Sequence, residues 1–115
     1  MTNIPAAGDI VWVDLNPVRG SEQSGIRPER VVSTSEVHAF TKRSIICPIT
    51  SNLDEWPTKI PLPSGVITKG AVLADQVRSV DRSERGFRLI ERAPAELLDS
   101  VRHMIGTLLQ IKATK

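Results

Sequence analysis

A chain of 115 residues with a net charge of only +2, from 15 Lys and Arg against 13 Asp and Glu, can bury one core and carries no strong overall pull toward nucleic acid. With 40% hydrophobic and 24% charged residues it has the composition of an ordinary globular domain, so residues 1–115 are expected to fold as one unit. The single cysteine, Cys47, excludes an internal disulfide, and no run has the length of a membrane span or the apolar core of a signal peptide, which points to a cytoplasmic protein.

Asp9–Leu15 is rich in β-branched and aromatic residues and reads as a strand, with Val11, Val13 and Leu15 on one face and Ile10, Trp12 and Asp14 on the other. The stretch that follows, Asn16–Pro28, is far longer than the roughly 2–5 residues a hairpin takes. It also holds two glycines, two prolines, two arginines, a glutamate and a glutamine, a load that suits a functional loop. Glu29–Thr34 is expected to be a second strand, antiparallel to the first. Ser35–Lys42 reads as irregular and polar, and Ser44–Ile49 as a third strand that Pro48 marks as an edge or a stop.

Thr50–Pro57 is a second loaded loop, followed by a short strand at Lys59–Leu62 and a turn at Pro63–Gly65. Gly70–Ala74 and Phe87–Ile90 are further strands. The period then changes. Pro94 and Glu96 suit the first turn of a helix, and Leu97, Val101, Ile105 and Leu108, flanked by Leu98, Met104 and Ile111, form an apolar stripe at helical spacing. Gly106 within the stripe suggests close packing. Short strands followed by one amphipathic helix argue for a small β-barrel with the helix laid against it.

Residues with obvious chemistry are few. His38 and His103 have no second ligand at metal spacing, and Cys47 has no catalytic signature around it and reads as a small core residue. What remains is a set of polar residues at strand ends: Arg27, Thr50, Asp75, Gln76 and Arg78. In a closed barrel such ends meet at one rim. A guanidinium can fork onto a phosphate and stabilise charge growing on its oxygens, and a hydroxyl can donate to a non-bridging oxygen. Glu22 or Asp75 can accept a proton, although an ordinary carboxylate value near ~4 makes a weak base at neutral pH. The bland reading stands beside this one: Arg27 and Asp75 as a structural ion pair, Thr50 as a strand-end cap.

The strings Gly8–Pro17 and Gly20-Ser21-Glu22-Gln23-Ser24-Gly25-Ile26-Arg27-Pro28 closely resemble the opening of the MazF/PemK (Kid) toxins. Pro48-Ile49-Thr50-Ser51, Ala74–Asp81 and the Ala95-Glu96-Leu97 helix continue the likeness in order, from Gly8 to about Ile111. The resemblance implies an SH3-like β-barrel with a C-terminal helix, a homodimer, and a metal-independent endoribonuclease neutralised by a cognate antitoxin. Such enzymes cut single-stranded RNA, chiefly mRNA, at short preferred sequences and so arrest translation and growth. The 2′-hydroxyl attacks, leaving a 2′,3′-cyclic phosphate and a 5′-hydroxyl, with no cofactor.

Carried across, the resemblance gives Arg27 the scissile phosphate and Thr50 the reacting centre, with Glu22 and Asp75 as acid/base candidates. Gln23, Ser51, Trp56, Gln76 and Arg78 are then the positions expected to meet RNA, although Trp56 suits packing against the barrel or a partner subunit equally well. Ser21 and Leu73 stand where some members have His and Arg, which removes two proposed proton donors. Glu29-Arg30 replaces residues that are usually apolar, and either faces solvent or alters RNA or antitoxin contacts. The same fold also serves topoisomerase poisons of the CcdB type, which depend on a tryptophan at the end of the last helix. Here the chain ends Leu109–Lys115 without one. A non-catalytic member that only binds RNA or antitoxin is the third reading, opposed only by the presence of Arg27 and Thr50.

Overall fold

The computed structural model describes residues 4–15, 25–93 and 95–112, with backbone alone at Ala95 and Glu96. Among the described residues there are seven strands: β1 Asp9–Asp14, β2 Ile26–Val31, β3 Arg43–Thr50, β4 Lys59–Pro61, β5 Ala71–Leu73, β6 Arg78–Asp81 and β7 Phe87–Arg92. Two helices, α1 Ser35–Phe40 and α2 Ala95–Leu108, and a 3-10 turn at Ala74–Gln76 complete the described elements. All the pairings are antiparallel, in the order β4-β5-β3-β2-β1-β7, with β6 also on β3. Among the described residues these pairings end at β4 and β7 and do not close the sheet.

The alternation expected for β1 is what divides the core in two. Val11, Val13 and Leu15 pack with Val31, Ile46 and Val80 on one face of the sheet. Ile10 packs on the other face with Val32, Cys47, Ile49 and Val72, and α2 covers this side with Leu98 and Val101. Because both faces of the central strands are covered, the consecutive β2 residues Glu29, Arg30 and Val31 are all buried whatever their chemistry, while Ile26 and Arg27 at its start are exposed. Arg102 of α2 fastens the helix to the sheet by donating from Nε and Nη2 to the Val32 carbonyl, at 3.2 and 2.9 Å.

Several expectations need correction. Pro48 does not end β3, which runs on to Thr50 in the middle of the sheet. One edge of β3 is shared by two strands: β6 pairs up to Ile46 and β5 resumes at Ile49. The missing N–H of Pro48 therefore falls in the gap between them, where no ladder bond is asked of it. Ser35–Phe40 is helical, capped by Thr34, whose Oγ1 accepts from the Val37 N–H, and not irregular. Gly106 has nothing close to it, so it marks no tight packing. Its carbonyl instead accepts from Ile111 N–H at 2.8 Å, closing the helix end where Gln110 takes φ +58°. The apolar stripe of α2 is buried through Val101 and half-buried at Ile105, but Leu108 and Ile111 are exposed.

Candidate active site

The β2–β3 ladder organises the candidate site. Val31 pairs with Ile46, Arg30 with Cys47 and Glu29 with Pro48. The ladder ends at Glu29 and Pro48; continued by two residues, its register would bring Arg27 opposite Thr50 on the same face, because side chains two apart along a strand share a face. Arg78 begins β6 opposite Ile46, so it belongs to this face as well. One surface thus runs from an apolar end at Val31, Ile46 and Val80, through Glu29, Pro48 and Arg78, to an open end at Arg27 and Thr50.

Arg27 is exposed at this open end. Just before it, Gly25 takes φ +85°, a conformation that favours glycine, and its carbonyl accepts from Leu15 N–H at 3.0 Å. That bond ties together the two ends of the long loop that follows β1. Glu22 and Gln23, expected from sequence to belong to the site, lie in that loop and outside the described residues.

Thr50 is half-buried, and its Oγ1 accepts from the Asn52 N–H at 3.1 Å, which leaves the hydroxyl hydrogen to donate outward. Gly70, at φ +132°, packs so tightly against Thr50 that a Cβ there would run into the Thr50 carbonyl oxygen. Gly70, expected from sequence only to open a strand, supports Thr50.

Asp75 and Gln76 stand beside this row rather than in it. They are exposed on the 3-10 turn, which packs against β3, β4 and α2 and buries Ala74. Ser51 is exposed directly after β3. Trp56 is 60% exposed and, with Leu53, Asp54, Glu55, Pro57, Lys59, Pro61 and Ala71, lines a cavity of about 660 Å³. Ala71 is the ladder partner of Thr50, so this cavity adjoins the open end of the face.

Glu29 and Arg30, left open between solvent and contact roles, are both fully buried. Arg30 points to the α2 side and donates from Nε to the Gly8 carbonyl at 2.8 Å. Glu29 points to the candidate-site side, where Arg78 Nη2 lies 3.6 Å from Oε2. Among the described residues neither Glu29 oxygen accepts a hydrogen bond. Burial pushes its carboxyl up to about 7, against the opposing pull of Arg78. The signal for this was in the sequence, since Glu29 shares a face with Val31.

The remaining titratable candidates are structural. His38 is buried, not in a polar loop. Its Nδ1 donates to the Pro5 carbonyl at 2.7 Å, and in the neutral ring Nε2 accepts from Ser33 Oγ at 2.6 Å. Burial lowers its pKa, with the nearby Arg82 adding to the effect. Cys47 is buried as expected, and burial, helped by Glu29, pushes its thiol up to about 12. Among the described residues no three His, Cys, Asp or Glu side chains are grouped to hold a metal ion, and no helix is long and apolar enough to cross a membrane.

An antiparallel sheet backed by one helix, with an arginine and a threonine at the open end of one face, defines a small β protein with a surface suited to an anion. Residues 6–109 match the family model of the PemK-like, MazF-like toxins of type II toxin–antitoxin systems, and the chain belongs to that family. It is 34% identical over 106 residues to the endoribonuclease toxin MazF of Escherichia coli K12, covering 92% of this chain and 95% of that one. It is 32% identical to the Escherichia coli endoribonuclease PemK over 89% and 80% of the two chains. Among solved structures, MazF from Deinococcus radiodurans superposes with a TM-score of 0.86 at 37% identity, covering 95% of this chain and 99% of that one. The MazE–MazF complex of the same organism gives 0.84 at 32% identity, covering 96% and 100%.

Proposed function

We propose that this toxin is an endoribonuclease that cuts single-stranded mRNA without a metal and is silenced by a cognate antitoxin. The observation that supports the reading is the β2–β3 ladder, which runs to Glu29 and Pro48 and, continued by two residues, would set Arg27 beside Thr50 on one face. In the proposed reaction the ribose 2′-oxygen bonds to phosphorus while the bond to the leaving 5′-oxygen breaks, giving a 2′,3′-cyclic phosphate and a 5′-hydroxyl. Arg27 forks onto the non-bridging oxygens, where charge grows. Thr50 donates its remaining hydrogen to the same group. The 2′-hydroxyl proton passes to a carboxylate, Glu22 or Asp75, and the leaving 5′-oxygen, on the far side of phosphorus, takes a proton from water.

Trp56 beside the open end offers a face on which an unpaired base can stack, worth about 1–3 kcal/mol, and Gln23, Ser51, Gln76 and Arg78 complete the RNA contacts. Closure of the sheet into an SH3-like barrel, a homodimer and a cytoplasmic setting belong to the same proposal. The antitoxin partner is supported by the MazE–MazF complexes among the structural neighbours. The test is cleavage of a long single-stranded RNA in excess EDTA, read by primer extension. Arg27→Ala and Thr50→Val are each expected to lower kcat at least about 100-fold with the fold intact. Undiminished cutting by Arg27→Ala overturns the assignment.

A further inference from the structure

Glu29 is a carboxylate buried on the side of the sheet that carries the candidate RNA face, and it does not reach the surface. Its side chain is 1% exposed and Arg78, 3.6 Å away, is 31% exposed, so Arg78 extends from the buried carboxylate to the surface. Arg27 precedes Glu29 by two residues on the same face of β2, a spacing of about 7 Å along a strand. Neither Glu29 oxygen accepts a hydrogen bond from the described residues. A buried carboxylate so poorly compensated costs stability, whereas an apolar residue in a packed strand would cost none.

We propose that Glu29 is a positioning residue for the RNA site: from beneath the face it holds the Arg78 guanidinium and sets the net charge with which Arg27 and Arg78 meet RNA phosphate. This rests on the reading of that face as the RNA site. With Glu29 ionised, Arg78 is drawn inward and part of the local positive field is cancelled. With Glu29 neutral, both guanidinium groups act on phosphate at full strength.

The surroundings place this change near neutrality. Burial raises the Glu29 carboxyl to about 7, and Arg78 is the charge that opposes it. From β3, the Cys47 thiol is pushed up to about 12 by burial and does not titrate nearby, while Pro48 is the ladder partner and carries no charge. From β1, the partner is apolar Val11. Arg27 lies on Glu29's own strand, two residues before it.

The test measures binding and cleavage together. The probe is a labelled single-stranded RNA of mixed sequence, fully 2′-O-methylated so that no 2′-hydroxyl can attack, titrated with the full chain near pH ~6 and ~8, either side of an ordinary neutral point. The wild type is expected to bind on the order of five-fold more tightly at the acid end, the effect of one unit charge about 7 Å away at an effective dielectric between protein and water. Glu29→Gln is expected to bind equally at both, at the wild type's acid value. In cleavage of unmodified RNA the same ratio should appear in KM rather than kcat. Arg78→Gln, at a half-exposed position, removes the group that keeps Glu29 ionised and should flatten the pH dependence too.

Retention of the wild-type pH ratio by a folded Glu29→Gln or by Arg78→Gln overturns the proposal, as does a Glu29→Gln defect confined to kcat and independent of pH. If Arg27→Ala weakens probe binding while Glu29→Gln follows the wild type, only the role of Glu29 fails. If the wild type does not bind the probe, or Arg27→Ala binds it as well as the wild type does, the RNA reading of this face fails and the role of Glu29 fails with it.

Discussion

Replacing Glu29 by glutamine should stabilise the protein in neutral solution and leave it unchanged in acid. The unfolded chain releases the Glu29 proton near 4.5, whereas burial in β2 holds it to about 7 in the folded chain. Between those values the folded state binds more protons, so stability falls as pH rises through the interval. A difference of this size corresponds to about 3 kcal/mol at roughly 1.4 kcal/mol per pH unit. That is a large share of the roughly 5–15 kcal/mol that holds a domain together. Urea unfolding of wild type and Glu29→Gln at matched pH is the assay, because every other titrating group cancels in the difference. The two should agree within about 1 kcal/mol near pH ~5 and diverge by about 3 kcal/mol near pH ~8, with the variant the more stable. A gap that does not change with pH would refute the argument that the buried carboxylate titrates near neutrality.

The other predictions concern the supports around the face. Gly70→Ala should displace the Thr50 carbonyl and both destabilise the chain and depress cleavage, whereas Gly65→Ala, with open space around it, should do neither; wild-type activity in the first variant would refute the contact. Arg82 donates to the carbonyls of Arg43, His38 and Thr41 and to Ser44 Oγ, so Arg82→Ala should cost about 2 kcal/mol in urea unfolding through the lost charged hydrogen bonds. His38 should titrate below its ordinary 6.5 in an NMR titration, because protonation removes the Nε2 acceptor that Ser33 uses. Stability should accordingly decline as pH drops below 6.5 towards the lowered folded value, and a ring midpoint above 6.5 would contradict this.

The strands were legible where a two-residue period met ordinary residue types. β1 shows this best: its alternation assigned Val11, Val13 and Leu15 to one core and Ile10 to the other. Legibility failed where tertiary context overrode the local signal. Pro48 reads as a stop, yet it sits mid-strand because β5 and β6 leave a gap beside it. The α1 segment is too short for a helical stripe, and its only local marks were Thr34 as cap and Glu36 in the first turn. At the far end, Leu108 and Ile111 continue the helical period beyond the sheet that α2 covers, so pattern alone could not tell a core position from an exposed one.

The site was legible in a different sense. Motif resemblance picked out Arg27 and Thr50 as candidates, 23 positions apart in the chain, and the β2–β3 register, continued two residues past Glu29 and Pro48, would bring them to one face. Glu29 shows the reverse case. Its position was implied by alternation, two residues from Val31, yet its charge argued for solvent. In a strand flanked on both sides and covered on both faces, position wins, and the chemistry must adapt: the carboxyl moves toward neutrality and Arg78 turns to meet it. A charged residue that survives in such a place is a departure from local rules, and such departures concentrate where function outweighs stability. Its nearness to Arg27 is why the first place to look for tuning of this enzyme is beneath the proposed phosphate site, not in the loops around it.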